Sequence, residues 1–271
     1  MDDYRLYYPA RAGKIDQQEA EMVRRSALTL CLSQQQVSTL QTRHSEKALA
    51  IRHFPLGTVE SYLSPTPQRV PTWKTLGYVG NLTDRVDWRL VVKLASALPE
   101  INFVFLGSLE VPCGGGRRSD WKQERAAALA LPNVRRVGPV SQEAVRDHYW
   151  DFDVCWIPYA TDHAFNRAAC PTKIMDGLAS GRPVVSTDIP ECRSYSNWIT
   201  IVQNADEAIS AVRRLLGRPP NGEKAHRQVD FTRDHLWSRR AETLLGWLAN
   251  ASERFCCHRP VNCNIGIYEG I

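Results

Sequence analysis

The chain has 271 residues, 43% apolar and 23% charged, the make-up of a globular protein with material for one large or two small cores. Its 34 Lys and Arg exceed 29 Asp and Glu by a formal +5, spread along the chain and never interleaved with aromatics as a nucleic-acid surface would be. No apolar stretch approaches the ~18 residues needed to cross a bilayer, and the opening MDDYRLYYPARAGK lacks the apolar core of a secretory signal, so the expected location is the cytoplasm.

In chain order, Asp16–Arg25 reads as a charged amphipathic helix and Ala27–Leu32 as a short strand. Ser33 is placed to cap the next helix, with Gln36 at capping-box spacing. A second strand is expected at Ala48–Ile51. Pro55, Gly57, Pro65, Pro67 and Pro71 then crowd one stretch. Proline lacks a donor and fixes its own φ, so residues 56–71 read as an interdomain linker without regular structure.

Beyond it, strands alternate with helices. The expected strands are Thr75–Val79, Asn102–Leu106, Val134–Val137, Val154–Ile157, Pro183–Ser186 and Thr200–Val202. The expected helices are Trp88–Leu98, Ser141–Trp150, Thr172–Ala179 and Asp206–Leu216, with a last one at about Leu236–Leu248. Near-continuous apolar strands separated by helical crossovers predict an α/β fold, a doubly wound parallel sheet covered on both faces. Ligands of such sheets bind beyond the carboxyl ends of the strands, here Gly80, Gly107, Gly138 and Pro158–Tyr159. Residues 1–55 then form a partial second α/β domain, 72–232 the main domain, 233–250 a C-terminal helix, and 251–271 a loose tail.

Eight cysteines include no Cys-x-x-Cys pair, and several sit in apolar strand-like runs, as buried free thiols do. Cys256, Cys257, His258 and Cys263 cluster in the tail, but adjacent cysteines are poor zinc-finger spacing, and no metal site is expected.

The segment NRAACPTKIMDGLASGRPVVSTDIP, residues 166–190, carries the most chemistry. Pro171 suits a first helical position, leaving the Thr172 and Lys173 amides to face an anion. Lys173 adds a full charge. Asp176 follows at +3 and +4 from Lys173 and Thr172, on the same helix face, where its carboxylate can accept from two vicinal hydroxyls. Spacing alone leaves open an ordinary helix start, with Lys173 solvated and Asp176 a surface acid.

The string PTKIMDGLASGRPVVST resembles the donor signature of retaining group 1 (family four) GT-B glycosyltransferases, whose wording runs close to N-P-x-K-x-x-E-x-L-A-x-G-x-P-V-V. The resemblance continues through GYVGNLTDRVDW, NFVFLGS and LPNVRRVGPVSQEAVRDHYWDFDVCWIPY to DHLWSRRAETLLGWL, about residues 72–250. It implies a Rossmann-like C-terminal domain and transfer of a sugar from a UDP- or GDP-sugar to a hydroxyl acceptor, without metal or cofactor. Gly80 and Asn81 would face the diphosphate, with Arg85 adding a charge. Gly107 and Ser108 would lie near the base and ribose, and Val137, Gly138 and Pro139 would pack on the base. Thr172 and Lys173 would bind the phosphates, Asp176 the ribose hydroxyls, and Asn166 and Arg167 would face the sugar. Lys173 and Arg85 are the catalytic candidates, because they stabilise the departing nucleoside diphosphate.

Departures accompany the match. Asp176 stands where the family has Glu, Ala168 where many members have a second Glu, and Cys170 where Asn often precedes the proline. Cys170 reads as a small filler, and His163 as a loop histidine without an evident partner. MDDYRLY resembles the middle of the acceptor domain, and ALTLCLSQQQV to HFPLG its end, so roughly the first hundred residues of a complete enzyme are expected to be missing. Residues 1–55 are accordingly expected to be loosely packed or paired with another copy.

The expected partners are a nucleotide-sugar donor and a saccharide or lipid-linked saccharide acceptor. A partner chain or second copy, and peripheral contact with the inner face of the membrane during polysaccharide or glycolipid assembly, complete the expectation. The alternatives are a non-catalytic nucleotide-sugar-binding half needing a partner chain and, with less support, a GT-B-shaped sugar epimerase.

Overall fold

The computed structural model describes residues 3–66, 74–109, 120–217 and 221–256. The N-terminal part comprises α1 (Tyr4–Tyr7), α2 (Ala12–Arg25), β1 (Thr29–Cys31), α3 (Gln34–Arg43) and β2 (Ile51–His53). The main domain begins with β3 (Thr75–Val79), α4 (Trp88–Ala97), β4 (Asn102–Leu106), α5 (Trp121–Leu129) and β5 (Val134–Val137). It continues with α6 (Gln142–Asp151), β6 (Val154–Ile157), α7 (Ala164–Ala168), α8 (Lys173–Ala179) and β7 (Val184–Thr187). The last elements are α9 (Pro190–Arg193), β8 (Thr200–Val202), α10 (Ala205–Leu216), α11 (Gly222–Arg233) and α12 (Trp237–Cys256).

Six parallel strands run in the order β5-β4-β3-β6-β7-β8. The inner strands β3, β4, β6 and β7 are largely buried on both faces, as their near-continuous apolar sequences require, while edge strand β5 exposes Arg135 and Arg136. Successive side chains point to opposite faces. Tyr78 of β3 meets Phe105, which in turn meets Trp88 of α4. Gly77, on the other face, admits the Phe152 ring so closely that a Cβ there would lie 2.2 Å from it. Asp87 caps α4, Ser141 caps α6, and Asn204 caps α10, each accepting from an amide three residues on.

All six expected strands of this sheet form, with the fifth starting and ending one residue later. Corrections fall elsewhere. Residues 45–50 form a 3-10 helix, and the second N-terminal strand is Ile51–His53 rather than Ala48–Ile51. Helices α5 and α11 were not anticipated, because their mixed faces lack a clear apolar stripe. Helix α8 begins at Lys173, so Pro171 sits before its cap instead of inside it. Helix α12 runs on to Cys256, beyond the expected end near Leu248 and into the stretch expected to be a loose tail; the rest of that tail, from Cys257 onward, lies outside the described residues.

The proline-flanked stretch is attached, not free. Glu60–Tyr62 form a 3-10 turn, Tyr62 is buried, and the Ser64 amide donates to Ala179 O at 2.9 Å. Thr58 pairs with the entry to α12: its amide donates to His235 O at 3.2 Å and its carbonyl accepts from the Trp237 amide at 3.0 Å.

Residues 3–54 form only a two-stranded parallel sheet over a small core of Val23, Cys31, Val37, Leu40 and Ile51. This segment is docked on the main domain. The buried Glu191 carboxylate accepts from the Gln34 amide at 3.0 Å and lies 3.0 Å from His53 Nε2. Ser33 Oγ donates to the Ala168 carbonyl, Arg52 stacks 5.0 Å over the Trp247 ring, and Phe54 meets that ring edge-on. Ser33 caps α3 as expected, but the Gln36 side chain is buried without the reciprocal bond of a capping box.

Candidate functional site

The strand order reverses between β3 and β6, and the crevice beyond their carboxyl ends is where doubly wound sheets bind ligands. Gly80 follows β3 with φ +145°, and Gly107 follows β4 with φ +140°, conformations that side-chain-bearing residues rarely adopt. The two turns nest: the Gly80 amide donates to Leu106 O at 2.8 Å, and a Cβ on Gly107 would lie 2.1 Å from Gly80 O. The Gly107 amide donates to Val137 O at 3.1 Å, and the Leu82 amide to Ser108 O at 2.9 Å. Gly80, Asn81, Gly107, Ser108, Val137 and Gly138 therefore sit along one rim. Asn81 is exposed, and its carbonyl accepts from Tyr78 Oη at 3.1 Å.

Lys173, at the first turn of α8, reaches over this rim. A Cβ on Gly80 would lie 2.8 Å from its Cε and Nζ, so the ammonium is held against the glycine turn. Nζ donates to Tyr159 Oη at 2.9 Å and lies 5.3 Å from the Tyr78 ring centroid. Tyr159 is 3% exposed, at the end of β6. Its ring also carries Arg85, whose guanidinium carbon lies 4.7 Å from the centroid and 4.8 Å from that of Phe165. Arg85 Nε donates to Asn166 Oδ1 at 2.8 Å, and Asn166 Nδ2 donates to Arg85 O and Ala160 O. Two cations thus share one aromatic wall beside a glycine turn, an arrangement able to neutralise a dianion.

Asn166 was expected to face a sugar. It is fully buried, its amide spent on holding Arg85. Asp176 is also turned from open solvent: Thr58 Oγ1 donates to its Oδ1 at 2.8 Å. Burial pushes its carboxyl up to about 6, against the downward pull of the Thr58 bond and Lys173. Thr172 and Arg167 remain exposed at the mouth, as does Pro139 at the far rim. His163 is buried, with Nε2 3.4 Å from Asp84 Oδ2, a partner that sequence spacing did not reveal.

Tyr159 and Thr58 are the residues sequence reading missed. The first carried a signal, since Pro158–Tyr159 was already placed at a strand end. The second had none, because it meets Asp176 from the far side of a proline-flanked stretch.

The model of the family "Glycosyl transferases group 1" matches residues 73–218. A Bacillus subtilis (strain 168) glycosyltransferase named for teichuronic acid biosynthesis, TuaH, is 26% identical over 170 residues, covering 60% of this chain and 40% of TuaH. Among solved structures, the Thermosynechococcus elongatus sucrose-phosphate synthase superposes with a TM-score of 0.65 at 18% identity, covering 88% of this chain and 61% of that one. HepE from Anabaena, solved with UDP and glucose, gives 0.62 at 13% identity, covering 84% and 64%. The chain thus spans less than two thirds of each of these relatives.

Proposed function

The chain belongs to the group 1 glycosyltransferases, and on that premise we propose that its main domain holds the nucleoside diphosphate of a sugar donor for transfer to a hydroxyl acceptor. The observation that carries this reading is the meeting of the Lys173 ammonium, the Gly80 turn and the Arg85 guanidinium at the point where strand order reverses. As the glycosidic bond to the diphosphate breaks, negative charge grows on the leaving oxygens, and fixed cations there lower the barrier. The Thr172 and Lys173 amides, at the leading end of α8, would add their dipoles to the same anion. The Gly107–Ser108 and Val137–Pro139 turns would take the ribose and base. HepE, structurally similar here, was solved with UDP and with UDP-glucose, which favours UDP as the first nucleotide to test.

Asp176 would receive the ribose hydroxyls, which must then displace or join the Thr58 hydroxyl. Retention of anomeric configuration and a saccharide or lipid-linked acceptor in polysaccharide or glycolipid assembly follow from the family resemblance. Calorimetric titration with UDP and GDP, beside Lys173→Ala, tests the reading. Binding that the variant loses by at least about tenfold supports it. No binding by the folded chain overturns it.

A second reading is a nucleotide-sugar-binding half that transfers only with a partner chain. The two-stranded N-terminal sheet favours it. Transfer by the purified chain alone would reject it.

A further inference from the structure

We propose that Tyr159 is a positioning residue that holds the Lys173 ammonium and the Arg85 guanidinium together on the diphosphate, an inference that rests on the donor-binding reading above. Two like charges repel, and without an anion between them long side chains disperse into solvent. Here they are kept in register. Tyr159 Oη accepts from Lys173 Nζ at 2.9 Å while the ring face carries Arg85 at 4.7 Å. The phenol is itself fixed, since it is buried and its backbone is tied on both sides. Thr187 Oγ1 donates to its carbonyl at 2.6 Å, and residue 159 bridges to Val86 beside Arg85.

An ammonium has three donors. One directed at Tyr159 leaves two for phosphate oxygens, so the resting bond need not be broken for a diphosphate to enter. Asn166 completes the socket by taking Arg85 Nε. The ring and Asn166 restrain Arg85, and Oη restrains Lys173.

The same geometry has a pH signature. Burial pushes the Tyr159 phenol up, but Lys173 and Arg85 pull it down and prevail, so it ionises below the ordinary tyrosine range. The other titratable groups near it are Tyr78 on β3, itself pushed well above the ordinary range by burial, Cys192 on α9 and Tyr149 on α6. A phenolate would cancel one of the two positive charges, so diphosphate affinity falls as pH rises through this ionisation. A bound diphosphate disfavours the phenolate, so binding near that pH takes up a proton.

The test is calorimetry of the whole chain with UDP and GDP in a pH series from 7.5 upward, in buffers of different ionisation enthalpy, for wild type and Tyr159→Phe. The expected result is about tenfold weaker binding by Tyr159→Phe at pH 7.5, a difference that shrinks as pH rises through the phenol's ionisation, and more proton uptake in wild type than in Tyr159→Phe, the nucleobase contributing equally to both. A far-UV melt checks that the variant is folded. Equal affinity, or equal uptake, in wild type and Tyr159→Phe across the series overturns the role of Tyr159 and leaves the donor-binding reading intact. Failure of the folded wild type to bind either nucleotide overturns both.

Discussion

Thr58 and Asp176 lie 118 residues apart in the chain, and the hydroxyl of the first donates to the carboxylate of the second at 2.8 Å. The bond ties the segment between the two parts of the molecule to the first turn of α8. It also leaves a carboxylate in a place poor in water, with consequences for pH.

Asp176 has a folded-state pKa of about 6, above the 3.8 of an exposed aspartate. The folded state therefore binds the extra proton between about pH 4 and 6, and stability falls as pH rises through that window. Above it, the buried charge costs on the order of 3 kcal/mol. Asp176→Asn is expected to melt higher than wild type at pH 8, with the advantage vanishing near pH 4, and to bind UDP or GDP more weakly. Melting curves across pH read the first effect and titration the second. A lower melting temperature at pH 8 contradicts the assignment.

Gly107→Ala tests the nested turns. The new Cβ meets Gly80 O at 2.1 Å, and backbone cannot swing aside as a side-chain tip can. Both the φ of +140° and the clash push the Gly80 turn from Lys173. A stability loss on the order of 2 kcal/mol should accompany at least tenfold weaker nucleotide binding. Urea unfolding and calorimetry report the two separately.

Glu191 fastens the N-terminal segment. Glu191→Ala strips the Gln34 amide of its acceptor and His53 of its carboxylate, and removes a carboxylate that is itself buried. A cost of about 3 kcal/mol is expected, felt mainly by the segment it anchors. Limited proteolysis should then cut before residue 55 sooner than within 75–216. Unchanged cleavage would show that the Ser33–Ala168 bond and the Trp247 contacts suffice.

Cys31, Cys155 and Cys192 are buried free thiols, with burial pushing them up to about 11, 12 and 12. The thiolate is the reactive form, so these three should resist alkylation at pH 8 in the folded chain and react on unfolding. Mass-spectrometric mapping of the modified cysteines checks this.

The sheet was readable because Val, Ile, Phe and Leu runs of strand length recur between helical crossovers, and burial on both faces leaves little alternative. Lys173 and Gly80 were readable for the same reason, since both stand at element ends where doubly wound folds place ligands. Helix α5 was not, because Ala-rich WKQERAAAL carries almost no apolar stripe. Asn166 lies inside α7 and not on a loop, and its amide turns inward to Arg85, 81 residues earlier, a contact that spacing within the segment does not show. Thr58 was hidden by prolines that signal an irregular path yet say nothing of what that path touches.

The docking of the first strands carries a consequence for the chain's birth on the ribosome. Ser33 and Gln34 find their partners at Ala168 and Glu191, 135 and 157 residues further on. At synthesis rates of roughly 5–20 residues per second, residues 3–54 wait on the order of ten seconds or more after emerging before their resting place exists. In that interval β1 and β2 have unpaired edges and a core of five side chains. Expression yield should therefore respond to temperature, elongation speed and chaperone supply more sharply than the stability of the finished molecule would suggest.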